Sequence, residues 1–283
     1  MRPILQWAGG KSKLAGQIAQ ALGGPCTGTY YEPFVGSAAV FLHLKELGWV
    51  RRAVLSDAND KLCAVHRAVR DDVEGVLNAL RAMPSDDWRD RYYEVRADYN
   101  RGPFDDVVHA ARFIWLNRAG YNGLYRENRR GEFNVPCGKY AALKMPDDDH
   151  FRRVSFLLQD TEIRSVPFED VLSDAGEGDQ VYCDPPYVPL SPTACFTGYC
   201  SRVFDLAEQK LLARCARRAA YAGATVVLSN HDLPVVRNEL YPPTEGFRHV
   251  AKPRVARAIS RGARGRVDEV IAAIGPWAAS SAA

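Results

Sequence analysis

The chain contains no apolar run long enough to cross a bilayer, and no charged-then-apolar leader follows Met1. These absences predict a cytoplasmic protein with no membrane contact. Its seven cysteines form no CxxC and no Cys/His pair at zinc spacing. Reduced thiols are expected, with neither a disulfide framework nor a metal site. Neither sign of charge is in large excess, since 37 Lys and Arg face 34 Asp and Glu for a net +3. There is no low-complexity segment and no internal repeat. A phosphate-binding P-loop is also missing: Gly9-Gly10-Lys11-Ser12 resembles its end, but position 5 is Leu and no strand precedes it. Nor is there a G-x-G-x-x-G turn, because only Gly36 follows the first strand candidate. A pyrophosphate-bearing cofactor is therefore not expected.

What is present is enough for a large core. The 283 residues are 47% apolar, which fits one α/β domain with an insertion or two domains. Runs rich in β-formers at Thr29–Phe34, Ala53–Ser56, Gln180–Cys183 and Thr225–Ser229 predict buried strands. Weaker ones lie at Glu162–Val166 and Glu269–Ile274, and helical patterns span Ala38–Leu47 and Ala207–Ala222. Alternating strand and helix predicts a mostly parallel sheet covered on both faces. Glu32, Asp57, Asp184 and Asn230 all fall at predicted carboxyl ends of strands, where such sheets bind ligands. The span between Asp57 and Glu162 is too long for one crossover. It is polar, helix-prone and aromatic, and it includes an Asn122-Gly123 turn signal, so a helical insertion with a hairpin or ordered loop near Asn117–Tyr140 is expected.

Asp184-Pro185-Pro186-Tyr187 is the strongest local signal. Two prolines stop the preceding strand and leave a stiff turn. A carboxylate, a main-chain carbonyl and an aromatic ring then suit a flat ring that bears an amine. Asp57 stands where an acid meets ribose hydroxyls, although a turn or cap role would also place it there. With Trp7, Lys11, Glu32, Phe34 and Gly36 it suggests a phosphate-free nucleoside, and S-adenosylmethionine fits that description. Basic residues gather at Arg118–Arg130 and Arg248–Arg266, as they do where proteins grip phosphates, and equally on solvated faces.

The ordered set Trp7-Ala8-Gly9-Gly10-Lys11, Glu32-Pro33-Phe34-Val35-Gly36, Ser56-Asp57-Ala58-Asn59, Asn117-Arg118 with Tyr121-Asn122-Gly123-Leu124, Gly131-Glu132-Phe133-Asn134-Val135-Pro136, Asp184-Pro185-Pro186-Tyr187 and Ser229-Asn230-His231-Asp232 resembles the Dam-type DNA adenine-N6 methyltransferases. The resemblance implies a Rossmann-like, S-adenosylmethionine-dependent α/β sheet (1–57 and 145–283) with a mainly helical target-recognition insertion at 58–144. It implies a monomer that acts on double-stranded DNA at GATC and uses no metal. The cofactor residues would be Trp7, Lys11, Glu32, Phe34, Gly36, Asp57 and Asp184. Asp184, Pro185, Pro186 and Tyr187 would clamp a flipped adenine. Tyr121 would fill the gap, Asn122 would meet the orphan thymine, and Arg126 would read a guanine. Leu124 and Pro136 would pack on a thymine methyl, and Tyr140 would contact DNA. Phe196 and Tyr199 are lid candidates. Gln6 departs from the Lys common in the family, and Cys137 and Lys139 replace a larger aromatic and an Arg. The competing expectations are the same chemistry on another DNA sequence or on RNA, and a non-catalytic DNA-binding module.

Overall fold

The computed structural model describes residues 1–103, 106–189, 204–256 and 266–276. The lid candidates Phe196 and Tyr199 lie outside these residues. So do Arg257, Arg261 and Arg264 and the side chains of Arg254 and Arg266.

Five parallel strands form the centre: β1 (Thr29–Glu32), β2 (Arg52–Ser56), β3 (Thr161–Arg164), β4 (Gln180–Cys183) and β5 (Thr225–His231). Three antiparallel strands complete the sheet: β6 (Arg248–Ala251), β7 (Arg254–Ala256) and β8 (Arg266–Ile274). The order is β3-β2-β1-β4-β5-β8-β6, with β7 also paired to β8. β4 is buried along its whole length, which is why it reads as an uninterrupted apolar run. β1 stops at Glu32, ahead of Pro33. β5 runs on to His231 because β8 pairs with it as far as Glu269. The chain winds outward from β1 through β2 to β3, then returns to place β4 on the other side of β1. That reversal is the switch point of a doubly wound sheet, and it sets the ends of β1 and β4 side by side.

The helices are α1 (Ala15–Leu22), α2 (Ala39–Glu46), α3 (Asp60–Asp71), α4 (Val73–Arg81), α5 (Trp88–Arg101), α6 (Val107–Ala119), α7 (Asp148–Leu158), α8 (Phe168–Ser173) and α9 (Leu206–Tyr221). Local chemistry starts several of them. Asn59 caps α3 by accepting from Leu62 N at 3.0 Å, Asp147 caps α7 through His150 N at 2.8 Å, and Asp205 caps α9 through Ala207 N at 2.8 Å. Helices α3 to α7 fill the long span between β2 and β3. Buried residues of α3 to α6 and of the loop after α6, such as Leu62, Tyr92, Trp115 and Phe133, join one apolar cluster with Leu55 and Tyr182 of the sheet. The opposite face of the sheet packs on α8 and α9 through Val171, Leu172, Leu212 and Ala216.

The expected hairpin differs in detail. Gly120↔Cys137 and Glu127↔Phe133 pair only as isolated bridges. Main-chain bonds still join the arms, from Asn134 N to the Arg126 carbonyl at 3.0 Å and from Asn128 N to the Glu132 carbonyl at 2.9 Å, and Asn128 Oδ1 adds bonds from Arg130 N and Glu132 N. Pro136 has no N–H to offer a ladder. The result is an ordered loop without a regular ladder.

Candidate active site

The site is built at the ends of β1, β2 and β4 and from the segment before α1. Lys11 is buried, and its Nζ donates to the Gly9 carbonyl at 2.5 Å and meets Asp184 Oδ2 at 2.9 Å. The same ammonium lies 4.8 Å from the centroid of the Tyr187 ring. Burial raises the Asp184 carboxyl above its usual range, and Lys11 opposes that rise. Glu269 of β8, also buried, is pushed up by desolvation and held down by Lys11 and by its hydrogen bond with Tyr187. The buried ammonium thus pairs directly with Asp184 and favours the charged form of Glu269 from farther away.

Tyr187 is fixed from several sides. Its hydroxyl donates to Glu269 Oε2 at 3.0 Å, and the His231 ring meets it edge-on at 4.9 Å. The main chain around it is pinned as well. Gln209 Nε2 of α9 donates to the Pro186 carbonyl at 2.6 Å. Val188 N donates to Asn230 Oδ1 at 3.1 Å, and the Val188 carbonyl accepts from His231 Nδ1 at 2.7 Å. Asn230 Nδ2 closes the network on Gln209 Oε1 at 3.0 Å. A phenol has one proton to give, and Tyr187 gives it to Glu269. Asp184 Oδ1 is left buried with no hydrogen-bond partner among the described residues. An orphaned buried carboxylate oxygen is costly unless something donates to it.

Gly36 turns the chain after β1 with φ 47°, and its N–H donates to Asp57 Oδ2 at 3.1 Å. Asp57 Oδ1 accepts from Asn59 N at 3.0 Å. Asp57 is thus both a turn organiser and an acid at the strand end, pushed up to about 6 by burial. A Cβ on Gly36 would fall 2.8 Å from Cδ1 of Trp7, so only glycine lets that ring lie against the turn. Phe34, half-buried, stacks on Phe168 with centroids 5.5 Å apart. Glu32 sits deeper than a contact residue would. Its Oε2 accepts from the Tyr30 hydroxyl at 2.7 Å and from Phe41 N at 3.1 Å, beneath the end of β1.

The loop after α6 forms a second, exposed cluster. Asn122 and Gly123 both have positive φ, 54° and 62°, and Leu124 N returns to the Tyr121 carbonyl at 3.2 Å. These are the dihedral signs of the Asn-Gly turn that the sequence predicts. Tyr121, Asn122, Arg126 and Pro136 are exposed, whereas Leu124 and Tyr140 are half-buried. Arg126 rests on Asn134 Oδ1 at 2.7 Å, and the Tyr140 hydroxyl donates to the Gly120 carbonyl at 3.1 Å. The cluster reaches the cofactor side through Tyr125, whose ring stacks on Trp7 at 5.6 Å. Lys11, Asp184 and Tyr187 are therefore brought into contact, as are Trp7, Gly36 and Asp57. Sequence reasoning did not find Gln209 and Glu269. Gln209 carried a signal, being a polar residue in line with the buried Leu212, Ala213 and Ala216 of α9. Glu269 is a carboxylate next to the apolar run Val270–Ile274.

The doubly wound sheet with its reversed last strand is the architecture of a Rossmann-like methyltransferase. Residues 7–252 match the model of the D12 class N6 adenine-specific DNA methyltransferases. The chain belongs to this family and is an adenine-specific DNA methyltransferase. It is 36% identical to the DNA adenine methylase of Escherichia coli (strain K12), over 99% of this chain and 98% of that one. It is also 36% identical to the type II methyltransferase M.MjaIII of Methanocaldococcus jannaschii, over 81% of this chain and 84% of that one. Among solved structures, TrmN from Thermus thermophilus aligns with a TM-score of 0.43 at 13% identity, over 93% of this chain and 48% of that one. No helix among the described residues is long and apolar enough to cross a membrane, and no group of three or more potential metal ligands occurs among them.

Burial pushes Glu32 from 4.5 up to about 8. The folded protein then binds a proton that the unfolded chain releases above 4.5, so stability falls as pH rises toward 8 and levels off beyond. Glu32→Gln is expected to flatten this pH dependence in urea melts between pH 5 and 9; an unchanged slope would place the titration elsewhere.

Proposed function

We propose that the chain transfers a methyl group from S-adenosylmethionine to N6 of an adenine flipped out of duplex DNA at GATC. The observation that carries this reading is Asp184 Oδ1, buried and without a hydrogen-bond partner among the described residues, in the same tight turn as the Tyr187 ring. An exocyclic amine supplies the missing donor and a flat ring supplies the stacking partner.

S-adenosylmethionine, when bound, supplies an electrophilic methyl group and leaves as S-adenosyl-L-homocysteine. The donor set suits it: an aromatic ring against a glycine turn, a strand-end acid for ribose hydroxyls, carboxylates for a cationic centre and no phosphate cradle. Trp7, Phe34, Gly36 and Asp57 would line the nucleoside side, with Lys11 and Asp184 toward the reacting end. Glu32 would brace the end of β1 from beneath. Asp184 Oδ1 and the Pro185 carbonyl would accept the two N6 hydrogens, and one of those protons would leave N6 to solvent during or after formation of the N6–methyl bond. That pairing concentrates the nitrogen lone pair toward the methyl carbon, so positioning and electrostatics do most of the work. The rigid Pro185-Pro186 turn keeps both acceptors in place, and Tyr187 stacks on the flipped base.

We further propose that residues 58–144 form the target-recognition insertion on a catalytic domain of 1–57 and 145–283, acting as a cytoplasmic monomer. Tyr121 would fill the vacated stack, Asn122 would meet the unpaired thymine, and Leu124 and Pro136 would pack on a thymine methyl. Arg126 would read guanine O6 and N7, and Tyr140 would support the contact from behind the turn. The exposure of Tyr121, Asn122, Arg126 and Pro136 on one loop supports this reading.

Transfer of tritiated methyl groups from S-adenosylmethionine is expected on GATC duplexes and not on scrambled ones. Asp184→Ala should abolish turnover while leaving DNA binding largely intact; transfer by that variant refutes the assigned role. Arg126→Ala should weaken discrimination at one guanine by about 1–3 kcal/mol. A uniform loss on all sequences would mark Arg126 as a phosphate contact instead.

A further inference from the structure

Asn117 lies in the last turn of α6 and is 1% exposed. Its amide pairs with the main chain of Gln6 at two points. Gln6 N donates to Oδ1 at 2.8 Å, and Nδ2 donates to the Gln6 carbonyl at 2.7 Å. The second amide hydrogen goes to the Gly123 carbonyl at 3.1 Å. The side chain thus imitates a strand pairing with Gln6 while holding the exposed turn with its remaining donor. This needs one acceptor and two donors at the reach of Asn. Aspartate lacks the donors, and glutamine is one methylene longer. The neighbouring Arg118 ties the same segment through the Ile4 carbonyl at 2.9 Å.

Close packing reinforces the connection. A Cβ on Gly123 would lie 2.1 Å from Gln6 Oε1 and 2.5 Å from Gln6 Cβ, so the turn rests directly on Gln6. One residue on, Trp7 stacks on Tyr125 of the loop and lies against Gly36 of the turn after β1. From Gln6 the chain runs to Lys11 at Asp184; from Gly123 it runs to Leu124 and Arg126.

We propose that Asn117 is a positioning residue that locks the segment 6–11 to the turn Tyr121–Leu124, coupling cofactor occupancy to target discrimination. The proposal rests on the reading above, in which that segment holds S-adenosylmethionine and that turn meets DNA. A ligand that orders either side of the lock lowers the cost of ordering the other, and the coupling is reciprocal.

The test is fluorescence anisotropy of GATC and scrambled duplexes, with and without sinefungin, a non-reactive analogue of S-adenosylmethionine. In the unmodified protein sinefungin should raise the ratio of GATC to scrambled affinity. Asn117→Asp keeps the acceptor and loses both donors. It should cut that gain by about fivefold or more, while affinity for sinefungin alone changes by less than about threefold. If the variant keeps the full gain, the proposal is overturned and the functional reading stands. A gain lost only in proportion to weaker sinefungin binding means a merely structural role, which also overturns it. An unmodified protein that binds neither sinefungin nor GATC selectively overturns the functional reading and this proposal with it. If Asn117→Asp does not fold, Gly123→Ala wedges a methyl group against Gln6 from the turn side and must cut the same gain.

Discussion

The buried ion pair between Lys11 and Asp184, 2.9 Å apart, is the constraint on which the rest of the site depends. Neither charge tolerates burial alone, and separating them would leave an uncompensated charge in a low-dielectric pocket. The pair forces the segment before α1 to lie across the end of β4. It commits one oxygen of Asp184 and leaves the other buried without a hydrogen-bond partner among the described residues. It also sets Lys11 over Tyr187, whose hydroxyl reaches Glu269 on the reversed strand β8. Parts of the chain far apart in sequence therefore meet at one ammonium.

Around this pair the fold supplies stiffness. Two prolines end β4 abruptly, and Gln209, Asn230 and His231 hold the main chain on both sides of Tyr187. Those three residues come from α9 and the end of β5, the elements that cover and flank β4. The proposed chemistry asks for little beyond placement of an amine, so a rigid frame is the main contribution a protein can make to it. The exposed loop after α6 is stiff too, but through isolated bridges, side-chain bonds and Asn117, in place of a ladder.

Much of this was legible in the sequence, for physical reasons. Gln180–Cys183 and Thr225–Ser229 read as strands because parallel central strands are apolar on both faces. Asp184 and Asp57 were visible because strand ends in such sheets are where ligands sit. The Asn122-Gly123 turn was visible because few other residue pairs accept positive φ at both positions. The short β6 and β7 were not, since each depends on pairing with β8 and has little pattern of its own. The choice between a hairpin and an ordered loop was open in the sequence, because Asn-Gly marks the turn but does not say how far the arms will pair. Gln209 and Glu269 were missed because their partners are distant in the chain, Tyr187 being 82 positions from Glu269. Asn117 lies 111 positions from Gln6, and no local signal connects them.

The most direct test is a crystal structure of the protein with a GATC duplex and sinefungin. The account predicts the target adenine outside the helix, stacked on Tyr187, with N6 within about 2.7–3.2 Å of Asp184 Oδ1. An adenine left in the base stack, or an extruded one whose N6 is bound away from Asp184, would contradict it.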